Sequence, residues 1–79
     1  MSKAGSALKQ VLESYSITQY QLSAIMGVNR SNFSRWLRGE RDPLAEVVVE
    51  IYKALKSLNP KAASEFIRLY LGLAPDEEI

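Results

Sequence analysis

Apolar residues recur every three or four positions in five successive segments of this 79-residue chain. That spacing places them on one face of a helix, whereas a half-buried strand would alternate every second position. The pattern therefore predicts an all-α fold, a compact bundle of about five short helices in a single domain, 1–79. The helices are expected at about 4–14, 18–26, 29–38, 43–58 and 60–71, with 73–79 as a tail.

Capping residues define the two short helices in the middle of the chain. Thr18 and Gln21 have the spacing of a capping box, in which each side chain bonds the backbone N–H of the other residue. Gly27 suits the left-handed residue that closes a helix, and Asn29 is a favourable N-cap for the next one. The apolar residues of these two helices are Leu22, Ile25, Met26, Phe33, Trp36 and Leu37.

The last two helices are each predicted to begin with a capping residue followed by proline, at Asp42-Pro43 and at Asn59-Pro60. The β-branched run 47–49 also fits a strand, but helical spacing extends through the whole segment and favours a helix. The expected apolar faces are Leu44, Val47, Val48, Ile51, Leu55 and Leu58 in the fourth helix, and Ala63, Phe66, Ile67, Tyr70 and Leu71 in the fifth.

The composition argues against several classes of function. The chain has no cysteine and no histidine, so disulfides, thiolate metal sites and histidine general bases are excluded. No nucleophile–base pair can be assembled from the remaining residues, so we expect no enzyme activity and no cofactor. No apolar run approaches membrane-spanning length, and the first five residues lack the apolar stretch of a signal peptide. A cytoplasmic protein with no membrane partner is the expectation.

The positive charge is concentrated in one short stretch, although the net charge is only +1. Arg30, Arg35, Arg38 and Arg41 lie within twelve positions, and Glu40 is the only acid between the first and the last of them. This is a local basic patch on a nearly neutral chain.

Two short helices joined by a tight glycine turn form the helix-turn-helix pattern, in which the second helix enters the DNA major groove. The third helix would bury Phe33, Trp36 and Leu37 and expose a polar side. Residues at its start and outer face carry groups that bond base edges. The expected base contacts are Arg30, Ser31, Asn32, Ser34 and Arg35.

Phosphate contacts are expected on both flanks of that helix. The second helix offers free backbone N–H groups at its N-terminus, and basic side chains follow the end of the third helix. The expected phosphate contacts are Thr18, Gln19, Tyr20, Arg38 and Arg41.

Other interpretations of the same residues stay open. A basic helix face is often simply solvated, and Phe33 and Trp36 are aromatic residues of the kind that stack on bases, although their spacing favours the core. The chain is alternatively a protein-interaction module, antitoxin-like or an adaptor, in which DNA binding is absent or secondary.

Residues 17–43, ITQYQLSAIMGVNRSNFSRWLRGERDP, closely resemble the phage Cro/repressor-like (XRE) helix-turn-helix family. Family positions are matched by Thr18-Gln19, Gly27-Val28, Phe33-Ser34-Arg35-Trp36, Gly39 and Pro43. Leu37 departs from the pattern, because the family often has Glu there. The resemblance covers roughly 8–58 and implies a five-helix fold and sequence-specific binding to operator-like DNA, commonly as a dimer. It also implies main contacts from Gln19, Arg30 and Ser31.

The fifth helix carries more apolar residues than one face requires. Ala62, Leu69 and Leu73 lie to one side of its core stripe with Phe66 between, and Val49 is out of phase with the core stripe of the fourth helix. We therefore expect a homodimer through the C-terminal helix, with Phe66, Leu69 and Leu73 in the interface. Two-fold symmetry would place two recognition helices about one DNA turn apart, roughly 34 Å.

Overall fold

In the computed structural model, which describes residues 3–73, the chain forms five helices and no strand within that range. They are α1 (Lys3–Ser14), α2 (Gln19–Met26), α3 (Arg30–Arg38), α4 (Ala45–Leu58) and α5 (Pro60–Leu71). The predicted all-α class is confirmed, including a helix over the β-branched run 47–49. The acidic part of the predicted tail, 74–79, lies outside the described residues.

The helices surround one hydrophobic core. α1 packs against α3 and α5, α2 against α3 and α4, and α4 against α5. Helices of 8 to 14 residues are marginal alone in water, so this packing supplies most of their stability. The largest fully buried side chains are Leu8, Val11, Leu22, Phe33, Ile51, Leu55 and Phe66.

The capping devices around α2 and α3 form as the sequence predicts. The backbone N–H of Gln21 donates to Thr18 Oγ1 at 3.0 Å, and the backbone N–H of Thr18 donates to Gln21 Oε1 at 2.9 Å. Gly27 closes α2 in the left-handed conformation, with φ +68°. Asn29 then caps α3 by accepting the Ser31 N–H at 2.7 Å. Two residues, Val28 and Asn29, therefore separate the closing glycine from the first residue of α3.

The predicted start of α4 at Asp42-Pro43 is wrong. The helix begins at Ala45, and its N-cap is Leu44, which makes no side-chain capping bond. Leu44 has φ −66° and ψ 159°, so its extended backbone prevents the helical path from starting earlier. The backbone at Asp42 is also restricted because a residue before proline is disfavoured in the helical region.

Four apolar residues predicted to face the core are exposed instead: Ile25, Leu44, Leu58 and Leu71. Each lies at a helix terminus or one residue from it. A side chain at a helix end has fewer neighbouring helices around it than one in the middle of the same stripe. Helical periodicity gives the direction of a side chain but not the length over which a partner helix covers it.

The C-terminal helix contributes to the core more than predicted. Ala62 was expected beside the core stripe, and Phe66 was expected both on the apolar face of the fifth helix and in the dimer interface. Both are fully buried within the single chain, so the core placement of Phe66 is confirmed and its interface placement is wrong. Phe66 packs near Tyr70, with ring centroids 6.3 Å apart. Phe66 is therefore not accessible to a second copy of the chain. Leu69 and Leu73 are half-buried. Val49 is exposed, which agrees with its position outside the core stripe of the fourth helix.

Within residues 3–73 the longest helix has 14 residues. No helix in the described part of the chain combines the length and apolarity needed to cross a bilayer.

Candidate nucleic-acid interface

Two aromatic side chains hold α3 against the rest of the fold. Phe33 is fully buried and Trp36 is 7% exposed. Their ring centroids lie 5.8 Å apart with the planes tilted by 53°, a favourable arrangement for an aromatic pair. Because both rings face the core, they are not available for base stacking, and the opposite side of the helix faces outward.

The outward side of α3 carries the residues predicted to contact bases. Arg30, Ser31, Asn32 and Arg35 are exposed, and Ser34 is half-buried. The first turn contains no acidic residue. Polar groups of this kind on the first turn and outer face match the arrangement with which a recognition helix meets base edges.

These residues do not form one continuous cluster. A shallow concavity of about 340 Å³ brings together the outer side of the helix, lined by Arg30, Ser31, Ser34, Arg35 and Arg38. Asn32 instead lines a concavity on the other flank of α3, which it shares with Trp36, Arg41 and Pro43. The structure thus separates Asn32 and Arg41 from the main basic cluster.

The N-terminus of α2 lies beside this surface. The side-chain hydroxyl of Ser34 donates to Gln19 Oε1 at 3.1 Å, which links the start of α2 to the middle of α3. Tyr20 is 67% exposed, as predicted for a residue at the outer start of the helix. The Thr18 side chain is engaged in the capping box. The backbone N–H groups of Gln19 and Tyr20 precede the first intrahelical bond, which runs from Leu22 N–H to the Thr18 carbonyl, so they suit an anion.

The last turn of α3 is paired with an acidic residue that lies just beyond the end of the helix. The guanidinium Nε of Arg38 donates to the Glu40 carboxylate, and the two side chains form an ion pair. The hydrogen bond from Arg38, then its charge, and more weakly the charge of Arg35, lower the pKa of the Glu40 carboxyl. The same pairing raises the pKa of the Arg38 guanidinium. Glu40 therefore brings a negative charge into the C-terminal end of the basic cluster.

A groove between α1, α2 and α3 contains two charged residues that the sequence interpretation missed. Lys9 and Glu13 of α1 line this groove of about 400 Å³ together with Gln19, Ser34 and Arg38. Their spacing of four positions on the polar side of the first helix was the available signal. Their proximity to α3 depends on how α1 packs, which periodicity alone does not specify.

Leu37, the departure from the family pattern, is half-buried in the wall of the same groove. Leu12 and Ile17 line that wall with it. An apolar side chain fits these surroundings, because a carboxylate placed there would lose part of its hydration.

Comparison with known protein families agrees with this geometry. A helix-turn-helix family model of the XRE type matches residues 8–60, which is most of the chain and includes α2 and α3. The same comparisons found no match among curated proteins or among solved structures. The family comprises DNA-binding regulatory domains with a lambda-repressor-like all-α fold. With its five helices, its glycine turn and its match over residues 8–60, this chain belongs to the XRE helix-turn-helix family.

Proposed function

We propose that this protein is a transcriptional regulator that binds double-stranded DNA sequence-specifically, with α3 in the major groove. The observation that carries the proposal is the orientation of α3. Its aromatic residues are buried on one side, while Ser31, Arg35 and Arg38 are exposed on the opposite side. Arg30 and Asn32 are exposed on the flanks of its first turn. A DNA-binding regulator must share a compartment with the DNA it binds, and a cytoplasmic location, as expected from the sequence, is compatible with this function.

Base recognition is assigned to the exposed side of α3. Arg30 and Arg35 suit bidentate bonds to guanine, Asn32 suits adenine, and serine hydroxyls adapt to several base edges. Ser34 also bonds Gln19, so a base contact by Ser34 uses its remaining hydrogen-bonding capacity or exchanges that bond. The assigned set is Arg30, Ser31, Asn32, Ser34 and Arg35.

Phosphate contacts are assigned to the two flanks of α3. The α2 N-terminus offers the backbone N–H groups of Gln19 and Tyr20, supported by the dipole of α2. Arg38 and Arg41 supply positive charge at the other end. Thr18 completes this set through its place at the α2 N-cap, and these contacts set the register of the protein on DNA without reading sequence.

The proposed active form is a homodimer through the C-terminal helix. The apolar residues assigned to this interface that remain partly accessible are Leu69 and Leu73, which are half-buried. Replacing Leu69 with Glu would place a charge in the interface and shift sedimentation equilibrium toward monomer. Val47→Glu is the matched control, because Val47 is also a half-buried aliphatic residue but lies near the start of α4. Equal effects of both substitutions would contradict this interface.

Selection from a random pool of DNA duplexes tests the function directly. The full chain is expected to enrich one sequence motif, and a dimer would enrich two related half-sites with centres about 34 Å apart. The affinity of the enriched duplex is then compared with that of a scrambled duplex by fluorescence anisotropy. A specific site typically binds at least about 10³-fold more tightly than unrelated DNA.

Failure to enrich any motif, together with negligible affinity for duplexes at low salt, would overturn the proposal. That result would favour the protein-interaction module that the sequence also permits. The exposed apolar residues at helix ends, such as Leu44 and Leu71, would then be the first surfaces to test for a protein partner.

A further inference from the structure

The position of Glu40 is determined by the way α3 ends. Gly39 adopts φ +75°, and its N–H donates to the Trp36 carbonyl at 3.2 Å. The Glu40 N–H donates to the Arg35 carbonyl at 3.0 Å. These two bonds form a Schellman motif, which holds the Glu40 backbone at the C-terminus of the recognition helix.

A carboxylate at this position is electrostatically unusual. The C-terminus of a helix carries partial negative charge, so an anion there is disfavoured unless a cation compensates it. Arg38 supplies that compensation through the ion pair, and Arg35 adds a weaker attraction. A glutamate carboxyl is already ionised at neutral pH, and the pairing lowers the pKa of the Glu40 carboxyl further.

We propose that Glu40 competes with DNA phosphate for Arg38 and so limits the affinity of the protein for any duplex. This inference rests on the proposed DNA-binding function and adds a residue that opposes it. In the free protein the carboxylate occupies the place of a phosphate on the Arg38 Nε. On DNA, the phosphate either displaces the carboxylate or shares Arg38 with a second anion.

The exposure of the pair favours competition over a supporting role for Glu40. The side chains of Arg38 and Glu40 are 58% and 54% exposed. An exposed ion pair orients its partners only weakly, so Glu40 adds little order to Arg38. Its carboxylate, in contrast, holds the Arg38 Nε that a DNA phosphate would otherwise bind.

Under this proposal, the residues of α3 and Glu40 have different effects on DNA binding. Residues of the first turn and outer face discriminate between base pairs, whereas Glu40 weakens binding to all sequences alike. A protein with this arrangement depends more on base contacts to stay bound, because the sequence-independent part of its affinity is reduced.

The test uses the full-length chain and the variant Glu40→Gln, which removes the charge and keeps the size of the side chain. Anisotropy titrations over a range of salt concentrations compare an enriched duplex with a scrambled duplex of equal length. Binding to both is expected to tighten by about two- to fivefold at low salt, the size typical of one exposed ion pair. The slope of log affinity against log salt should become steeper by up to about 0.9.

Glu50→Gln is the matched control, because it changes the net charge equally at an exposed position on α4. This control is expected to leave both affinities nearly unchanged. In an Arg38→Ala background, Glu40→Gln should lose most of its effect, because the group for which it competes is absent. Thermal unfolding of each variant confirms that the fold is retained.

Weaker or unchanged binding by Glu40→Gln, with the wild type still binding DNA, would overturn this inference and leave the proposed function intact. A gain that persists in full without Arg38 would overturn it too, because Glu40 would then act on DNA as a general charge. A wild-type chain without affinity for duplexes would refute the proposed function and this inference together.

Discussion

The helices α3 and α5 are built with the same terminal devices but present different surfaces. Each begins after an asparagine N-cap, Asn29 or Asn59, and each ends at a left-handed glycine, Gly39 or Gly72. α3 buries only Phe33 and Trp36, and most of its other side chains are exposed. In α5, residues 65–70 are all buried or half-buried.

This comparison shows that the caps determine where each helix begins and ends, while the residues between the caps determine how much of its surface is buried. Each of the two helices packs against two others, α3 against α1 and α2, and α5 against α1 and α4, but α5 buries or half-buries an unbroken run of residues, 65–70, in doing so. In α3 two rings suffice as anchors, which leaves the remaining positions free to carry polar chemistry.

Removal of a buried ring should damage both helices equally. Phe33→Ala and Phe66→Ala each delete a fully buried side chain, so each should lower the free energy of unfolding by roughly 3–5 kcal/mol. Urea unfolding followed by circular dichroism measures this change, with Tyr20→Ala as an exposed aromatic control. A small effect at Phe33 alone would show that α3 is not anchored as described.

Basic residues at the starts of the two helices should differ in their effect on DNA binding. Arg30→Ala is expected to weaken binding to the specific site by about 1–3 kcal/mol and to relax preference at one base pair. Lys61→Ala removes an exposed cation from the first turn of α5 and should leave specificity unchanged. Anisotropy titrations with single-base variants of the site measure both. Unaltered specific affinity in Arg30→Ala would refute its assignment as a base contact.

The two N-caps should contribute similar stability but different function. Asn29→Ala and Asn59→Ala each remove a side-chain acceptor for first-turn N–H groups, at a cost of about 1 kcal/mol in unfolding free energy. Only Asn29→Ala should also weaken specific DNA binding, because its helix carries the residues proposed to contact bases. Asn29→Ser, which keeps a capping oxygen, should restore both properties. Equal loss of DNA binding in the two alanine variants would argue against a special role for α3.

The smallest expected effect concerns the last turn of α3. Arg38→Ala should weaken binding to specific and scrambled duplexes alike and reduce the salt slope by up to about 0.9. The matched substitution Lys56→Ala, in the last turn of α4, should change neither. A loss confined to the specific duplex would reassign Arg38 from phosphate contact to base contact.

Most capping motifs of this fold, though not the predicted Asp42-Pro43 start of α4, could be predicted from sequence because they depend on neighbouring residues. The capping box at Thr18 and Gln21, the glycine that closes α2 and the Asn59-Pro60 helix start involve residues within a few positions of each other. Their hydrogen bonds are therefore encoded in short stretches of sequence.

Features that depend on three-dimensional arrangement could not be predicted in the same way. The sequence placed Leu44 in the core, and it placed Phe66 in a dimer interface as well as on the apolar face of the fifth helix. The packing of the helices exposes Leu44 and buries Phe66 completely. The sequence also shows Glu40 near the arginines, but its pairing with Arg38 follows from the left-handed turn at Gly39. Turn geometry decides which of several nearby cations a flexible carboxylate meets.

At the turn between α2 and α3, the backbone torsion of Gly27 is restrictive although the space around it is open. A Cβ added at Gly27 would meet no atom within 4 Å, yet φ there is +68°. The obstacle to a side chain is thus torsional, and crowding plays no part. Asparagine tolerates this backbone region better than most residues, so Gly27→Asn offers a way to add a new polar group at this corner while keeping the angle at which α3 is presented.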